Sequence, residues 1–203
     1  MHPLVRTPFA LCLYVVVASI TPGPNNLMLI NMGVVRGHRA AAGTALGVTV
    51  GFAIQVLVFS LGVGAAIKAV PGLTAAIDVI GLAYLLWLAS KLLAARSLGA
   101  AAPMHGFTGA IRYQWINPKA ISMALTTAGL FVVASGPRVW ASALAVAAIA
   151  AVCCLPCTLI WGLGGASMSD RLKDEHAVVT FNRLSAAALL AMVVWLAATM
   201  LAS

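Results

Sequence analysis

The sequence predicts an all-α integral membrane protein with six transmembrane helices, arranged as two inverted three-helix repeats. Of the 203 residues, 63% are hydrophobic and only 8% are charged, and the mean hydropathy is +1.05. A soluble domain carries about 25% charged residues. Six apolar runs are each long enough for a helix to cross about 30 Å of hydrocarbon. The first helix of each half is interrupted by a proline-containing motif.

Charged residues delimit the six predicted spans. The runs lie between Arg6 and Arg36, between Arg39 and Lys68, from Pro71 to Ser90, between Lys119 and Arg138, between Arg138 and Asp170, and from Leu184 to Ser203. The fifth run predicts either one long helix or one span followed by a buried loop near Trp161–Ser169.

The chain divides into halves at a linker of small residues, Leu98–Pro103. We expect one membrane domain, residues 1–203, made of a first repeat at 1–99 and a second at 105–203. Because three spans per half is an odd number, the two halves must have opposite orientations, which is the pattern of an inverted repeat.

Positive charges predict the orientation, because Lys and Arg are in excess in cytoplasmic loops. Eight of the twelve Lys and Arg residues fall on one side: Arg36, Arg39, Lys91, Arg96, Arg112, Arg171, Lys173 and Arg183. Three fall on the other side: Arg6, Lys68 and Arg138. This distribution places both termini outside, which is the periplasm if the membrane is a bacterial inner membrane. The scattering of these residues does not fit nucleic-acid binding, despite the net charge of +8.

The first break is predicted within Thr21-Pro22-Gly23-Pro24-Asn25-Asn26. Prolines remove backbone donors and disfavour helix before them, so a half-helix over Phe9–Ile20 should precede an unwound stretch and a second half-helix from about Asn26 or Leu27. Unwound backbone in a bilayer is tolerated inside protein or beside a water-filled cavity. A kink without a ligand is the alternative. Pro22, Gly23 and Pro24 are the expected hinge residues.

The second break is predicted at Trp115–Lys119, where Asn117 suits the N-cap and Pro118, the fourth hinge residue, the first helical turn. Paired breaks at corresponding places indicate a transporter's binding site. A half-helix N-terminus favours an anion such as a carboxylate. Lys119 would hold this anion, and the site would suit an amino acid. In the alternative, Lys119 lies at the cytoplasmic surface and snorkels there.

The two broken motifs, from Thr21 to Asn26 and from Gln114 to Ala120, resemble the signatures of the LysE/RhtB family of amino-acid exporters. Gly81-x-x-Tyr84-Leu85 resembles its third-helix pattern. The resemblance covers essentially the whole chain and implies efflux of amino acids or related metabolites, driven by proton or ion gradients. Many members carry an Asp in the second span, whereas here Gln55 is the strongly polar residue of that stretch.

Six residues are the predicted substrate ligands: Thr21, Asn25, Asn26, Gln55, Asn117 and Lys119. Asp78, the one acidic residue within an apolar run, is a candidate for ion coupling. An acidic side chain inside a membrane is energetically costly, so its presence there indicates a function. Asp78 lies near the outer end of its span, so an interfacial position or a pair with Lys68 stays open.

Other function classes are weaker. Cys154-Leu155-Pro156-Cys157 has the spacing of a redox dithiol, so a membrane thiol–disulfide electron carrier is one alternative, and an uncoupled channel is another. The histidines have no metal-ligand spacing, and no nucleophile–base pair or phosphate loop is seen, so we expect neither metal, cofactor nor enzyme. Glycines at four-residue spacing, Gly43 to Gly51, predict close helix packing within a protomer or between protomers. A homo-oligomer therefore stays open.

Overall fold

The computed structural model describes residues 5, 7–63, 66, 69–94, 106–132, 138–169 and 175–201, and these residues form seven α-helices. The helices are α1 (Pro8–Ile20), α2 (Pro24–Val58), α3 (Leu73–Ala94), α4 (Phe107–Tyr113), α5 (Pro118–Phe131), α6 (Val139–Ser167) and α7 (Glu175–Leu201). A π-helical turn, Phe59–Val63, extends α2. Within the described ranges, β structure is limited to a bridge between Val5 and Val132. The predicted all-α class is confirmed.

The polarity of the molecule is inverted relative to a soluble protein. Large apolar side chains face outward, with Val152 73% and Trp140 65% exposed. Polar side chains lie inside, and Gln55 and Gln114 are completely buried. Lipid is the solvent that suits such a surface, because contiguous apolar patches of this kind are rare on soluble monomers.

Two helices in the described part of the chain are long and apolar enough to cross a membrane, Pro24–Val63 and Val139–Ser167. Helix α6 has 29 residues and includes Pro156, so it is roughly 43 Å long. Of the two arrangements expected for the fifth run, the structure has the long helix, which continues through Trp161 to Ser167.

The predicted first and second spans are joined more closely than the sequence suggested. Helix α2 continues past the basic segment Arg36–Arg39, and the change of direction falls at Gly37, with φ 78° and ψ −176°. A positive φ is readily adopted by glycine, which explains why the turn needs no longer loop. Helix α7 also begins at Glu175, earlier than the predicted Leu184, so the exposed Arg183 lies within it.

Close backbone contacts position the helices around the breaks. Helix α2 packs along α6 through glycines, and a Cβ at Gly33 would overlap the Gly162 carbonyl oxygen. A Cβ at Gly47 would overlap the Phe107 carbonyl oxygen of α4. Small residues allow this approach of backbones. One core cluster is shared by α1, α2, α5 and α6, and another joins Leu27 to α3 and α7.

Candidate functional site

The first helix break consists of Thr21–Gly23, between α1 and α2. The Thr21 Oγ1 donates to the Val17 carbonyl at 2.6 Å. The Asn26 side-chain amide donates to the carbonyls of Ser19 at 3.2 Å and Thr21 at 2.8 Å. The two Asn26 bonds satisfy carbonyl groups at the end of α1, whereas the Val17 carbonyl also accepts from the Thr21 backbone N–H at 3.2 Å. Pro24 occupies the first turn of α2, so this half-helix begins two to three residues earlier than predicted.

The second break lies between α4 and α5, where Gln114–Ile116 form a turn. Asn117 is the N-cap of α5, as predicted, and its Oδ1 accepts from the Lys119 backbone N–H at 3.2 Å. The Asn117 side chain is completely buried, and its Nδ2 has no acceptor within hydrogen-bonding distance among the described residues. The hydrogen-bonding capacity of this amide nitrogen is therefore unused among the described residues.

The two breaks face each other, and side-chain amides join them. The Asn25 Nδ2 donates to the Gln114 Oε1 at 3.0 Å, and the Gln114 Nε2 donates to the Asn25 Oδ1 at 3.2 Å. The Gln55 Nε2, from α2, donates to the Gln114 backbone carbonyl at 2.8 Å. Gln114 is thus held through both its side chain and its backbone.

Lys119 forms a second connection between the breaks. Its Nζ donates to the carbonyl oxygen of Thr21 at 2.7 Å and to that of Pro22 at 3.3 Å. The C-terminal end of a helix carries partial negative charge, so a cation beside the end of α1 is stabilised. The sequence suggested that the lysine charge requires a bound anion. In this arrangement carbonyl oxygens of the first break satisfy the ammonium instead.

A small cavity of about 30 Å³ lies between the breaks. Its lining combines polar groups of both breaks with small and apolar side chains of α1, α2, α5 and α6. The lining residues are Ala18, Ser19, Gly23, Asn25, Asn26, Val48, Phe52, Gln114, Lys119, Ala120, Met123, Cys154 and Thr158. Lys119 carries the formal charge of this set. One water needs roughly 10–15 Å³ of such space, so the cavity has room for about two or three waters, and an amino acid requires the breaks to move apart.

The structure brings the six predicted ligands into one region, but they differ in their positions relative to the cavity. Asn25, Asn26 and Lys119 line the cavity. Gln55 and Asn117 lie behind it, where one holds Gln114 and the other caps α5. Thr21 offers its backbone carbonyl, since its hydroxyl is bonded within α1.

Four lining residues with hydroxyl, amide or thiol side chains were not among the predicted ligands: Ser19, Gln114, Cys154 and Thr158. Gln114 begins the second motif, and an uncharged amide beside a predicted break was the signal that could have identified it. Ser19 and Thr158 are small residues inside apolar helices, and the sequence contains no signal that distinguishes them from packing residues. Cys154 was identified only as part of the Cys-x-x-Cys motif and not as a ligand.

Two further candidates from the sequence are Asp78 and Cys157. Asp78 belongs to α3, but its side chain is outside the described residues. Cys157 is a free, buried cysteine whose Sγ donates to the Cys153 carbonyl at 3.5 Å. Within the described ranges, no group of three or more His, Cys, Asp or Glu could hold a metal ion.

Comparison with known proteins gives a consistent set of relatives. The model of the family described as LysE type translocator matches residues 16–202. A cysteine/O-acetylserine efflux protein of Klebsiella pneumoniae is 30% identical over 157 residues, which are 75% of this chain and 78% of that protein. A protein of the same name from Salmonella choleraesuis is 27% identical over 135 residues, 65% of this chain and 68% of its own. No solved structure gives a significant match.

Proposed function

Because the chain belongs to the LysE type translocator family, we propose that it is a secondary transporter that exports an amino acid or a related small zwitterion from the cytoplasm. Relatives named cysteine/O-acetylserine efflux proteins favour a small neutral amino acid as the substrate. The observation that carries the proposal is the pair of facing helix breaks, with hydrogen-bonding groups and one cation around a cavity inside an apolar-surfaced bundle.

In this proposal the substrate binds between the breaks. Lys119 and the N-terminal ends of α2 and α5 attract the carboxylate, because helix N-termini offer free N–H groups and partial positive charge. Asn25 and Asn26 hydrogen-bond the substrate as neutral groups, and Thr21 contributes backbone oxygen. Gln55 and Asn117 act from behind, since Gln55 positions Gln114 and Asn117 fixes the start of α5.

Transport requires the breaks to separate, because the cavity between them is too small for an amino acid. Pro22, Gly23, Pro24 and Pro118 are the proposed hinges. Prolines lack the N–H that would extend helical hydrogen bonding across a break, so the half-helices can move relative to each other. We propose that an ion gradient drives the cycle, with Asp78 as a candidate for coupling.

The proposed architecture is a six-span 3+3 inverted repeat in a bacterial inner membrane, with repeats at 1–99 and 105–203 and both termini in the periplasm. The excess of Lys and Arg in alternate loops supports this orientation. The interruption of α1–α2 and of α4–α5 by proline motifs supports the correspondence of the halves.

The thiol–disulfide carrier is less favoured, because the named relatives are efflux proteins. The variant Cys157→Ser separates these functions, since a dithiol carrier needs both thiols, whereas an exporter keeps efflux without Cys157, which does not line the cavity. An uncoupled channel differs in another property. Its flux does not depend on an ion gradient when the substrate gradient is held constant.

The proposed function is tested by uptake of O-acetyl-L-serine into inverted membrane vesicles, in which export appears as accumulation. Energised vesicles that contain the protein should accumulate the substrate, and dissipation of the ion gradients should abolish accumulation. Lys119→Ala should remove most of the uptake. The matched control is Lys91→Ala, because Lys91 is an exposed lysine near the end of α3, beside Trp87. Full uptake by Lys119→Ala would refute the proposed site.

A further inference from the structure

The Lys119 ammonium lies where the ammonium group of an amino acid could bind. Its two acceptors, the carbonyl oxygens of Thr21 and Pro22, belong to the non-helical backbone of the first break. Charge-assisted hydrogen bonds are about twice as strong as neutral ones. Nothing in these two contacts depends on the identity of the lysine beyond its terminal NH₃⁺ group, and a zwitterionic amino acid carries the same group.

Gly23 makes room for the lysine side chain across the break. A Cβ at Gly23 would lie 3.0 Å from the Lys119 Cδ and 3.1 Å from its Nζ, and Lys119 supplies all three of the nearest atoms. The backbone of Gly23 is extended, with φ −176°, a conformation that any residue adopts. Glycine therefore gives room to the Lys119 side chain here, and an added Cβ would require that side chain to shift by a few tenths of an ångström.

We propose that Lys119 is a tethered occupant of an ammonium site formed by the Thr21 and Pro22 carbonyl oxygens, and that substrate binds by exchange with it. The substrate ammonium replaces the lysine at these oxygens, while the released Lys119 pairs with the substrate carboxylate. This inference rests on the proposed function, in which a zwitterion binds between the breaks.

The exchange defines the substrate class more narrowly. Each ammonium has a partner before and after the exchange, which avoids the cost of leaving a charge buried without a partner. A compound with a carboxylate but no free amine releases Lys119 without replacing it, so it should bind weakly. The apparent affinity of a true substrate is reduced by the fraction of molecules in which Lys119 occupies the carbonyl site.

The first test uses two isomeric ligands, O-acetyl-L-serine, which has a free ammonium, and N-acetyl-L-serine, which does not. Binding to the purified full-length protein in nanodiscs is measured for the wild type, Gly23→Ala and Gly106→Ala. Gly106 is the matched control, because it is also an N-cap glycine but has no atom within 4 Å of an added Cβ.

Gly23→Ala should shift the lysine and weaken its bonds to the carbonyls, and so lower the Kd for O-acetyl-L-serine by up to about tenfold, the equivalent of one weakened charge-assisted hydrogen bond. Gly106→Ala should leave this Kd unchanged, and N-acetyl-L-serine should bind weakly throughout. An unchanged or raised Kd in Gly23→Ala, or equal binding of the two isomers, would overturn the exchange.

The second test needs no substrate, so it separates failure of the exchange from failure of the proposed function. In Lys119→Ala the carbonyl site is vacated, and ethylammonium should raise the Tm of this variant more than that of the wild type. Tetramethylammonium, which has the same charge but no N–H donor, should not. Equal effects of the two cations, or of ethylammonium on the two proteins, would overturn the ammonium site. If wild-type protein binds neither serine derivative, the proposed substrate is wrong, and the ethylammonium result alone decides.

Discussion

The side-chain amides of Asn25 and Gln114 exchange two hydrogen bonds, of 3.0 and 3.2 Å, across the two helix breaks. Each amide gives one donor and one acceptor to the other, so the pair is self-complementary and carries no charge. Because the residues belong to different breaks, separation of the breaks must break both bonds at once. The released amides then offer donors and acceptors to a bound amino acid.

Mutations of the two residues of this amide pair should have non-additive effects on the free energy of unfolding. Asn25→Ala and Gln114→Ala should each destabilise the protein, and the double variant should be less destabilised than the sum of the two. Net contributions of about 0.5–1.5 kcal/mol per hydrogen bond give an expected coupling energy of about 1–3 kcal/mol. The measurement is a double-mutant cycle of unfolding in detergent. Additive effects would show that the amides do not stabilise each other in solution.

Two substitutions of Asn117 should separate the effect on stability from the effect on transport. The Asn117 Oδ1 caps α5, whereas its buried Nδ2 has no described acceptor. Asn117→Ser keeps a capping oxygen and adds no buried charge but loses the amide donor, so its Tm should stay near that of the wild type while export falls. Asn117→Ala should lose export and also about 1 kcal/mol of stability, the usual cost of a lost N-cap. Thermal unfolding and vesicle uptake are measured on the same preparations. If Asn117→Ser exports normally, the amide donor is not needed for transport.

The sequence predicted the helix breaks well because their causes are local. Proline and glycine restrict or free the backbone wherever they occur, and Asn117 before Pro118 is a recognisable helix start. The composition likewise predicted the helical, lipid-facing class.

The partners of the polar side chains could not be predicted, because they depend on tertiary geometry. The sequence does not show that Gln55 reaches the Gln114 backbone, or that Lys119 reaches the Thr21 carbonyl 98 residues away. The turn at Gly37 was expected as a loop, since the basic residues around it marked a membrane boundary but not the local backbone angle.

The glycine spacing in α2 predicts a position-specific effect on folding. Gly47→Ala should destabilise the protein by about 1–3 kcal/mol, the range for inserting an extra carbon into a packed interior, because the new Cβ overlaps the Phe107 carbonyl. Gly43→Ala, one turn earlier, has no atom within 4 Å of the new Cβ. It should be neutral or slightly stabilising, since alanine favours helix over glycine. Thermal unfolding in detergent measures both variants. Equal losses would show that helix flexibility, and not the contact with α4, is what the glycines provide.

The substitution Gln55→Glu should make the stability of the protein depend on pH in a way that the wild type does not. The Gln55 Nε2 donates to the Gln114 carbonyl in a completely buried position. Gln55→Leu leaves this carbonyl with only the longer bond from the Asn117 backbone N–H, at 3.4 Å, and should cost about 0.5–1.5 kcal/mol. In Gln55→Glu a protonated carboxyl group can still donate to this carbonyl, whereas an ionised carboxylate cannot and is repelled by it. Stability of Gln55→Glu should therefore rise as the pH falls, while Gln55→Leu stays uniformly less stable.

The measurement is the Tm of the wild type, Gln55→Leu and Gln55→Glu from pH 5 to pH 8. The difference between Gln55→Glu and the wild type should be largest at the alkaline end and shrink toward the acidic end. A difference that is constant with pH, and equal to that of Gln55→Leu, would show that the bond to Gln114 does not hold the second break in place. Vesicle uptake over the same range adds a functional readout, because the second break carries Lys119 and its loosening should lower export in parallel.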